Sequence, residues 1–470
     1  MASSADDHPC AVKAQQHFLF VTGPLHGHIN PVRRLAARVL AANPGARVTF
    51  STAVSGHRRM FPSLAFPDEE VVDEENGVLH VPYSDGYDDG FDPSAHDARE
   101  YRVRTRDAGR ASLAAVVARL AEKRGPAVTG VVYTFLVAWA LDVARDAGVP
   151  AALYWIQPAT VFAVYHRCFI GGHGDALAAA SGSVELPGLP AMTADALPSI
   201  VPAASPEHPM HGAFQAFRDL FADIDEHRPM VLVNTFEALE PEALRAVPEL
   251  EVVAVGPAVP DNVVSRHSRD DDATAAEEGY MAWLDSKAAR SVVYVSFGSF
   301  VPMSARQEAE MRRGLEATGR PYLWARTGAT MQDDAEKERV GMVVSWCEQV
   351  RVLSHPAVGC FVTHCGWNSA LESMGCGVPV VALPQWTDQP TVAWLLAERA
   401  GVGVRAKPAV ACNGVVESAE LRRCVEAVMG DGQRAADMRA RAERWRELGR
   451  QAVASGGSSE RNLRAFAAGR

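Results

Sequence analysis

The sequence predicts an α/β protein with two domains, each a parallel β-sheet covered by helices. The chain has 470 residues, which is more than one hydrophobic core usually organises. Short apolar runs alternate with amphipathic helical segments, the pattern of parallel strands joined by crossover helices. This alternation is present near the N-terminus and begins again at Ser291, so we expect two domains.

The N-terminal half provides the first set of elements. An apolar run over 17–22 ends at Gly23-Pro24 and predicts a strand, and helical spacing of Val32, Leu35, Ala36 and Leu40 predicts a helix over 30–42. Further strands are expected over 47–52 and 130–133, with a helix over 112–122. Such alternation is typical of a parallel sheet that is buried on both faces.

The second half repeats the pattern. A strand is expected over 291–297 and an amphipathic helix over 306–318, and residues 418–450 are rich in helical patterns. A charged segment over 262–279 is interpreted as an exposed linker. The most apolar stretch, 149–165, contains two prolines and is too short for a membrane span, so it is interpreted as a buried strand and pocket wall.

Composition excludes several classes of function. The chain is 48% hydrophobic and 22% charged, and its net charge of −11 without a basic run disfavours a nucleic-acid or anionic membrane surface. Eight cysteines without a CxxC spacing indicate reduced thiols rather than a disulfide framework. No signal peptide is recognised at the N-terminus, so a cytoplasmic location is expected.

The segment 346–389 carries the strongest chemical signal. It has neither a GxxxxGK[ST] phosphate loop nor a GxGxxG fingerprint. A strand over 361–363 leads through His364 and Gly366 into a helix for which Asn368 and Ser369 are candidate N-caps. Unpaired N–H groups and the helix dipole would favour a diphosphate there, with His364 as a donor and Glu372 as an acceptor for ribose hydroxyls. The alternative is an ordinary capped helix with a core histidine.

The motifs in this segment resemble a known signature. It begins with Trp346-Cys347-Glu348-Gln349, contains His364-Cys365-Gly366-Trp367-Asn368-Ser369, and ends with Pro384-Gln385-Trp386-Thr387-Asp388-Gln389. In length and motifs it is similar to the 44-residue signature box of plant UDP-sugar-dependent family 1 glycosyltransferases. The resemblance extends to Gly27–Pro31, Val233–Phe236, Trp283–Asp285 and Ser296–Ser299. It implies a GT-B fold, with two Rossmann-like domains facing across a cleft.

The resemblance also implies how the chain is divided. Residues 1–250 would form the acceptor-binding domain, 251–279 a linker, and 280–455 the domain that binds the UDP-sugar. The C-terminal helix over 456–470 is expected to pack back on the first domain.

The resemblance assigns roles in the donor site residue by residue. Trp346 would stack on uracil, Gln349 would lie near the base and ribose, and Glu372 would accept from ribose hydroxyls. Gln389, the residue typical of glucose donors, and Trp367, where some glucuronate-using members carry Arg, together favour UDP-glucose. No metal is implied, because a helix terminus and polar donors can stabilise the charge. Around the diphosphate would lie Ser299, His364, Asn368 and Ser369, and on the sugar hydroxyls Asp388 and Gln389.

The resemblance assigns the catalytic base to His28, in the loop after the first strand, because a neutral imidazole can take the proton of an attacking hydroxyl. His26, two residues earlier, departs from the usual small or amide residue. Relatives commonly carry an Asp beside the base, and here Thr134 occupies that position. A hydroxyl can orient the ring but brings no negative charge. Expected in the acceptor pocket are His26, Trp155, Gln157 and Phe162.

These expectations define an inverting O-glucosyltransferase that uses UDP-glucose and a small hydrophobic plant metabolite. The missing Asp favours an acceptor that arrives ionised, such as a carboxylic acid, although flavonoid or anthocyanin 5-O-type and other phenol acceptors stay open. Two rivals of other classes are a dinucleotide oxidoreductase, which lacks its fingerprint, and a non-catalytic UDP-sugar-binding protein. A monomer without nucleic-acid or membrane partners is expected.

Overall fold

The computed structural model describes residues 15–74, 76–92, 94–123, 126–259, 271–298, 303–326, 340–409 and 414–469. The chain divides into two compact units. One contains the residues up to Tyr154 together with those from Leu463 onward, and the other is Trp155–Asn462. The functional domain limits expected from the sequence stay a prediction.

The first unit is built on a sheet in the order β6-β5-β1-β2-β4-β3, parallel except for the last pair. Four helices accompany the strands along the chain. The strands are β1 His17–Thr22, β2 Arg47–Thr52, β3 Val71–Val72, β4 Leu79–His80, β5 Gly130–Tyr133 and β6 Ala151–Trp155, and the helices are α1 His26–Ala42, α2 Val54–Met60, α3 Ala98–Lys123 and α4 Ala140–Asp146.

The second unit contains a six-stranded sheet that is parallel throughout, in the order β13-β12-β11-β14-β15-β16. Its further strands form a parallel pair, β9 with β10, and an antiparallel pair, β7 with β8. The strands are β7 Ser183–Val184, β8 Met192–Thr193, β9 Met230–Val233, β10 Val252–Ala254, β11 Val292–Ser296, β12 Tyr322–Ala325, β13 Gly341–Val344, β14 Val358–Thr363, β15 Val380–Ala382 and β16 Gly403–Arg405.

The helices of the second unit are α5 Ala159–Phe169, α6 Gly174–Ala178, α7 His211–His227, α8 Asp271–Asp285, α9 Ala305–Ala317, α10 Gln349–Leu353, α11 Trp367–Cys376, α12 Gln389–Trp394, α13 Ser418–Met429 and α14 Gln433–Val453. The last helix, α15 Ser458–Ala467, crosses into the first unit, where Phe466 lies 5.3 Å from the Phe18 ring.

Both sheets have the buried central strands that the sequence indicates. Every residue of β1 and of β14 is buried, because helices cover both faces of a parallel sheet. Loops that follow the carboxyl ends of such strands form the usual ligand-binding edge. In this chain the segments at that edge include Thr134, Trp346 and His364, and helices α1, α10 and α11 begin there.

The predicted architecture of two parallel-sheet, Rossmann-like domains is confirmed, and several boundaries differ. Helix α3 begins at Ala98, well before the predicted start at 112. The sequence pattern missed residues 98–111 because they are rich in charge and have no clear apolar stripe. Of the predicted linker over 251–279, residues 260–270 lie outside the described residues, and the described parts contain β10 and the start of α8. Within the described ranges no helix is long and apolar enough to cross a membrane.

Candidate active site

The start of helix α11 has the open geometry that an anion site requires. Gly366, not Asn368 or Ser369, is the N-cap residue, and no side chain caps the helix. The predicted N-caps are therefore wrong: both residues lie in the first turn, because Cys365 adopts a left-handed conformation (φ 65°) that starts the helix two residues earlier. Its first N–H groups thus lack a side-chain cap from Gly366.

His364 lies between two glycines at this edge. A Cβ at Gly366 would lie 2.6 Å from His364 Nε2, and one at Gly298 would lie 3.2 Å away, so both positions need glycine. Burial lowers the pKa of His364 to about 4, against a smaller opposing effect from a hydrogen bond with the Ser296 backbone. The ring is therefore neutral near pH 7 and can offer one N–H to an anion. Its Nδ1 has no partner among the described residues.

The structure joins three predicted donor-site side chains by hydrogen bonds. Gln349 Nε2 donates to Ser369 Oγ over 2.9 Å and to Glu372 Oε2 over 2.8 Å. Tyr294, which the sequence analysis missed, donates from its hydroxyl to Gln349 Oε1 over 3.3 Å. Its only sequence signal is a polar tip within an apolar strand. The buried tyrosine thus sets the direction of the Gln349 amide.

Trp346 is exposed, with 54% of its surface accessible, although it is a large aromatic residue. It follows β13 and precedes the Gln349 cluster by three residues. An exposed indole next to polar groups suits stacking with a nucleobase. Asn368 is half-buried in the first turn of α11. Ser299 lies outside the described residues.

Asp388 and Gln389 are held in a braced loop at the start of α12. Gln389 Oε1 accepts from the backbone N–H groups of Gln385 and Trp386 over 2.9 and 3.2 Å, which leaves its Nε2 for other partners. Burial raises the pKa of Asp388 to about 6, while a hydrogen bond from Thr387 Oγ1 opposes that shift. Thr387 is in the left-handed region at φ 54°, and Ser199 Oγ accepts from its N–H.

Trp367 is buried, with 4% exposure, and its Nε1 donates to the Asn234 carbonyl over 2.7 Å. The indole N–H is thus already used inside the protein. Trp367 consequently supports the start of α11 from within.

The structure corrects the setting of His28. It lies in the first turn of α1 and not in a loop, because the Leu25 carbonyl accepts from the N–H groups of His28 and Ile29 and closes the turn. Burial lowers the pKa of His28 to about 3. Its Nδ1 is buried without a hydrogen-bond partner in the described part of the chain. The ring centroids of His28 and Phe135 lie 4.8 Å apart in a T-shaped arrangement.

Thr134 does not supply the orienting hydrogen bond to His28 that the sequence suggested. Its buried Oγ1 lies 3.2 Å from Thr22 Oγ1, and the two hydroxyls share a hydrogen bond. The physical reason is that Thr22 ends β1 beside Thr134, which follows the neighbouring strand β5. His26 is exposed, and its pKa is lowered by partial burial and by Arg59.

The residues expected in the acceptor pocket fall into two groups. Trp155 and Phe162 are buried in an aromatic core, with ring centroids 5.2 Å apart and Phe221 close to both. This corrects their expected role as pocket-lining groups, because β6 and α5 direct both rings into the core. Gln157 is 8% exposed, and its Oε1 has no partner within the described ranges. It is the member of the set with unused hydrogen-bonding capacity.

Two further features concern metal ligands and cavities in the described part of the chain. No group of three or more His, Cys, Asp or Glu side chains there could hold a metal ion. A cavity of about 1030 Å³ in the second unit is lined by Phe297, Gln385, Arg405 and Glu420 among others, but by none of the predicted site residues. Four of its charged side chains are paired, Arg405 with Asp195 and Arg423 with Glu420.

Comparisons with known proteins agree with this geometry. Residues 217–435 match the family described as UDP-glucoronosyl and UDP-glucosyl transferase. The chain is 41% identical to the chloroplastic crocetin glucosyltransferase of Gardenia jasminoides, over 96% of this chain and 97% of that protein. It is 40% identical to anthocyanidin 3-O-glucoside 5-O-glucosyltransferase 1 of Perilla frutescens, over 96% and 98%.

A solved structure of a related protein has a similar fold. Os79 from O. sativa in complex with UDP has a TM-score of 0.78 at 29% identity, covering 97% of this chain and 100% of that one. The same protein is known in complex with U2F and trichothecene. The predicted GT-B fold is therefore confirmed. The chain belongs to the plant UDP-glucosyltransferases of the UDP-glycosyltransferase family.

Proposed function

We propose that this enzyme is an inverting O-glucosyltransferase that transfers glucose from UDP-glucose to the carboxyl group of a small hydrophobic acid. The observation that carries this proposal is the isolation of His28. Its Nδ1 is buried and has no partner among the described residues, and the position where relatives commonly carry Asp holds Thr134, bonded to Thr22. The base therefore lacks an anion that would stabilise its protonated form.

The donor is held by residues whose chemistry suits each part of UDP-glucose. The exposed Trp346 ring stacks on uracil, and Glu372, oriented by Gln349, accepts from the ribose hydroxyls. The start of α11 and neutral His364 stabilise the diphosphate, including the charge that develops as UDP leaves. Asp388 and Gln389 bind glucose hydroxyls. Ser299, Asn368 and Ser369 complete the diphosphate site, and no metal is required.

In the transfer step an acceptor oxygen forms a bond to the anomeric carbon while the bond from that carbon to the diphosphate oxygen breaks. An alcohol must also lose its proton, and His28 Nε2 takes it, because Nδ1 is the buried nitrogen. Since Nδ1 already carries the proton of the neutral ring, its N–H lacks an acceptor in both charge states, and the cost of transfer is the desolvated positive charge of the imidazolium, which no anion offsets. A carboxylic acid, with a pKa of roughly 4–5, arrives ionised and avoids this cost.

A phenol O-glucosyltransferase, including the 5-O type, is the second candidate. The observation in its favour is the 40% identity to an anthocyanidin 5-O-glucosyltransferase over nearly the full chain. A phenol is more acidic than an alcohol, so it also tolerates a weak base. A non-catalytic UDP-sugar-binding protein is the third candidate, because the base lacks its usual partner.

A panel of acceptors tests the proposal. Matched pairs of an aromatic acid and the corresponding phenol are incubated with UDP-glucose and the protein, and products are measured by mass and by lability in alkali. We expect alkali-labile esters to dominate kcat/KM. A dominant alkali-stable product would favour the phenol candidate, and UDP binding without transfer to any acceptor would favour the non-catalytic one.

Three further properties belong to the same proposal. We propose that the enzyme is a monomer, acts in the cytoplasm and uses UDP-glucose rather than UDP-galactose. The last point rests on Gln389, whose free Nε2 can donate to a sugar hydroxyl. Measuring kcat/KM for the two donors with one acceptor tests it directly.

A further inference from the structure

The two residues that follow strand β9 form hydrogen bonds with several separate segments of the chain. Asn234 and Thr235 are completely buried. The Asn234 N–H donates to the Trp155 carbonyl over 2.9 Å, and Asn234 Oδ1 accepts from Ala258 N–H over 2.8 Å. This strand end is therefore fixed on two sides before any contact with a substrate-binding helix is considered.

Glu240 connects this strand end to the start of α5. Its carboxylate is buried, and Oε1 accepts from the N–H and the hydroxyl of Thr160, both over 2.8 Å. Oε2 accepts from Ala159 N–H over 3.1 Å and from Thr235 Oγ1 over 2.6 Å. Pro158, the N-cap residue, provides no side-chain cap. The Glu240 carboxylate, which is distant in sequence, thus caps α5 by accepting hydrogen bonds from its first N–H groups.

Trp367 connects the same strand end to the start of α11. It is the first residue of that helix, and its Nε1 donates to the Asn234 carbonyl over 2.7 Å. One dipeptide, Asn234-Thr235, therefore holds the N-termini of two helices. One helix follows Gln157 on the acceptor side, and the other begins at the diphosphate site.

We propose that Glu240 and Trp367 are positioning residues that fix the starts of α5 and α11 to the shared strand end Asn234-Thr235, and so keep Gln157, just before α5, aligned with the start of α11. Both side chains are buried and spend their hydrogen bonds inside the protein. The assignment of α5 to the acceptor side rests on the proposed function. The chain of contacts from Thr160 through Glu240 and the dipeptide Asn234-Thr235 to Trp367 is independent of that function. Because the hydrogen bonds of this chain are buried, we expect loosening of one end to shift the other.

A double-mutant cycle tests this proposal. Glu240→Gln, Trp367→Phe and the double variant are compared for acceptor KM, UDP affinity by calorimetry, and kcat/KM. We expect Glu240→Gln to raise the acceptor KM about 5-fold and Trp367→Phe to weaken UDP binding about 5-fold. The double variant should lose at least about 3-fold less kcat/KM than the product of the single losses, since both act on one anchor.

Matched controls separate positioning from general destabilisation. Glu242→Gln alters an exposed carboxylate two residues away that pairs with Arg399, and Trp445→Phe removes another indole N–H that donates to a backbone carbonyl, that of Ala400. Both should leave acceptor KM and UDP affinity unchanged. If Glu240→Gln fails to fold, Thr235→Val removes only the 2.6 Å link to Glu240 and should show the same coupling.

Two results would overturn the proposal: losses that multiply in the double variant, or variants that lower the melting temperature while both KM values stay unchanged. If the wild-type protein transfers glucose to no acceptor, the proposed function fails. The double-mutant cycle is then based on UDP affinity alone. The proposal holds if Glu240→Gln weakens UDP binding and the effects of Glu240→Gln and Trp367→Phe are not additive in the double variant.

Discussion

His28 illustrates how one side chain can be recognised from sequence and still have unexpected properties. Burial keeps its ring neutral by lowering its pKa to about 3, and no described residue accepts a hydrogen bond from Nδ1. A neutral ring has the correct form to accept a proton, but a pKa this low makes it a weak base. Under the proposed mechanism, the acceptor therefore supplies part of the acidity.

Replacement of His28 measures its contribution. His28→Ala should lower kcat by about 10²–10⁴ on an alcohol or phenol acceptor and by less on a carboxylic acid, with UDP affinity nearly unchanged. Steady-state kinetics on a matched acid and phenol, with UDP calorimetry, check this. His26→Ala is the control and should be mild on both acceptors. A near-normal rate of His28→Ala on a phenol would remove His28 from the mechanism.

Introduction of a carboxylate tests the proposed preference for carboxylic acid acceptors. Thr134→Asp should place an anion near His28, raise the pKa of the imidazole, and improve transfer to phenols while repelling an ionised acid. The ratio of alkali-stable to alkali-labile glucoside should therefore increase. Thr22→Val, which removes the partner hydroxyl without adding charge, is the control. An unchanged ratio in Thr134→Asp would contradict the argument.

At the scale of one element, the start of α11 depends on a glycine N-cap. A side chain at Gly366 would approach His364 Nε2 to 2.6 Å, so the ring would have to leave its place beside the helix N-terminus. Other helices of the second unit do not share this restriction. Gly432, the N-cap residue of α14, has no atom within 4 Å of its Cβ position.

The pair of glycines provides a matched test. Gly366→Ala should weaken UDP binding about 10-fold or more, because displaced His364 and a shifted first turn lose contacts with the diphosphate. Gly432→Ala should leave UDP affinity unchanged. Calorimetry with UDP and with uridine separates the effects: uridine, which lacks the diphosphate, should bind both variants alike. Equal UDP affinity of Gly366→Ala and wild type would exclude this diphosphate site.

At the scale of the whole molecule, buried histidines connect stability to pH. Burial lowers the pKa of His28 to about 3 and of His364 to about 4, and it also lowers the pKa of His17, His57 and His166. Between these values and 6.5 the unfolded chain binds more protons than the folded chain. Stability is therefore full above pH 6.5 and declines as the pH falls. Asp388, whose pKa is raised to about 6, opposes this trend.

We expect the free energy of unfolding to be lower at pH 5 than at pH 7, since each extra proton bound by the unfolded chain changes it by about 1.4 kcal/mol per pH unit. Urea titrations at the two pH values measure the difference. His28→Ala should make the dependence shallower, and Asp388→Asn should make it steeper. Greater stability at pH 5 than at pH 7 would contradict the assignment of neutral buried histidines.

The sequence by itself determined the α/β class and the strands at 17–22, 47–52 and 130–133, because these follow from local periodicity, and a dense motif supplied the candidate donor-site side chains. The tertiary structure decided what surrounds each side chain. It showed that His28 Nδ1 has no hydrogen-bond partner among the described residues, that Trp155 and Phe162 face a core, and that Tyr294 orients Gln349. Glu240 caps a helix 80 residues away in sequence. Such contacts join distant segments, and local pattern carries no information about them.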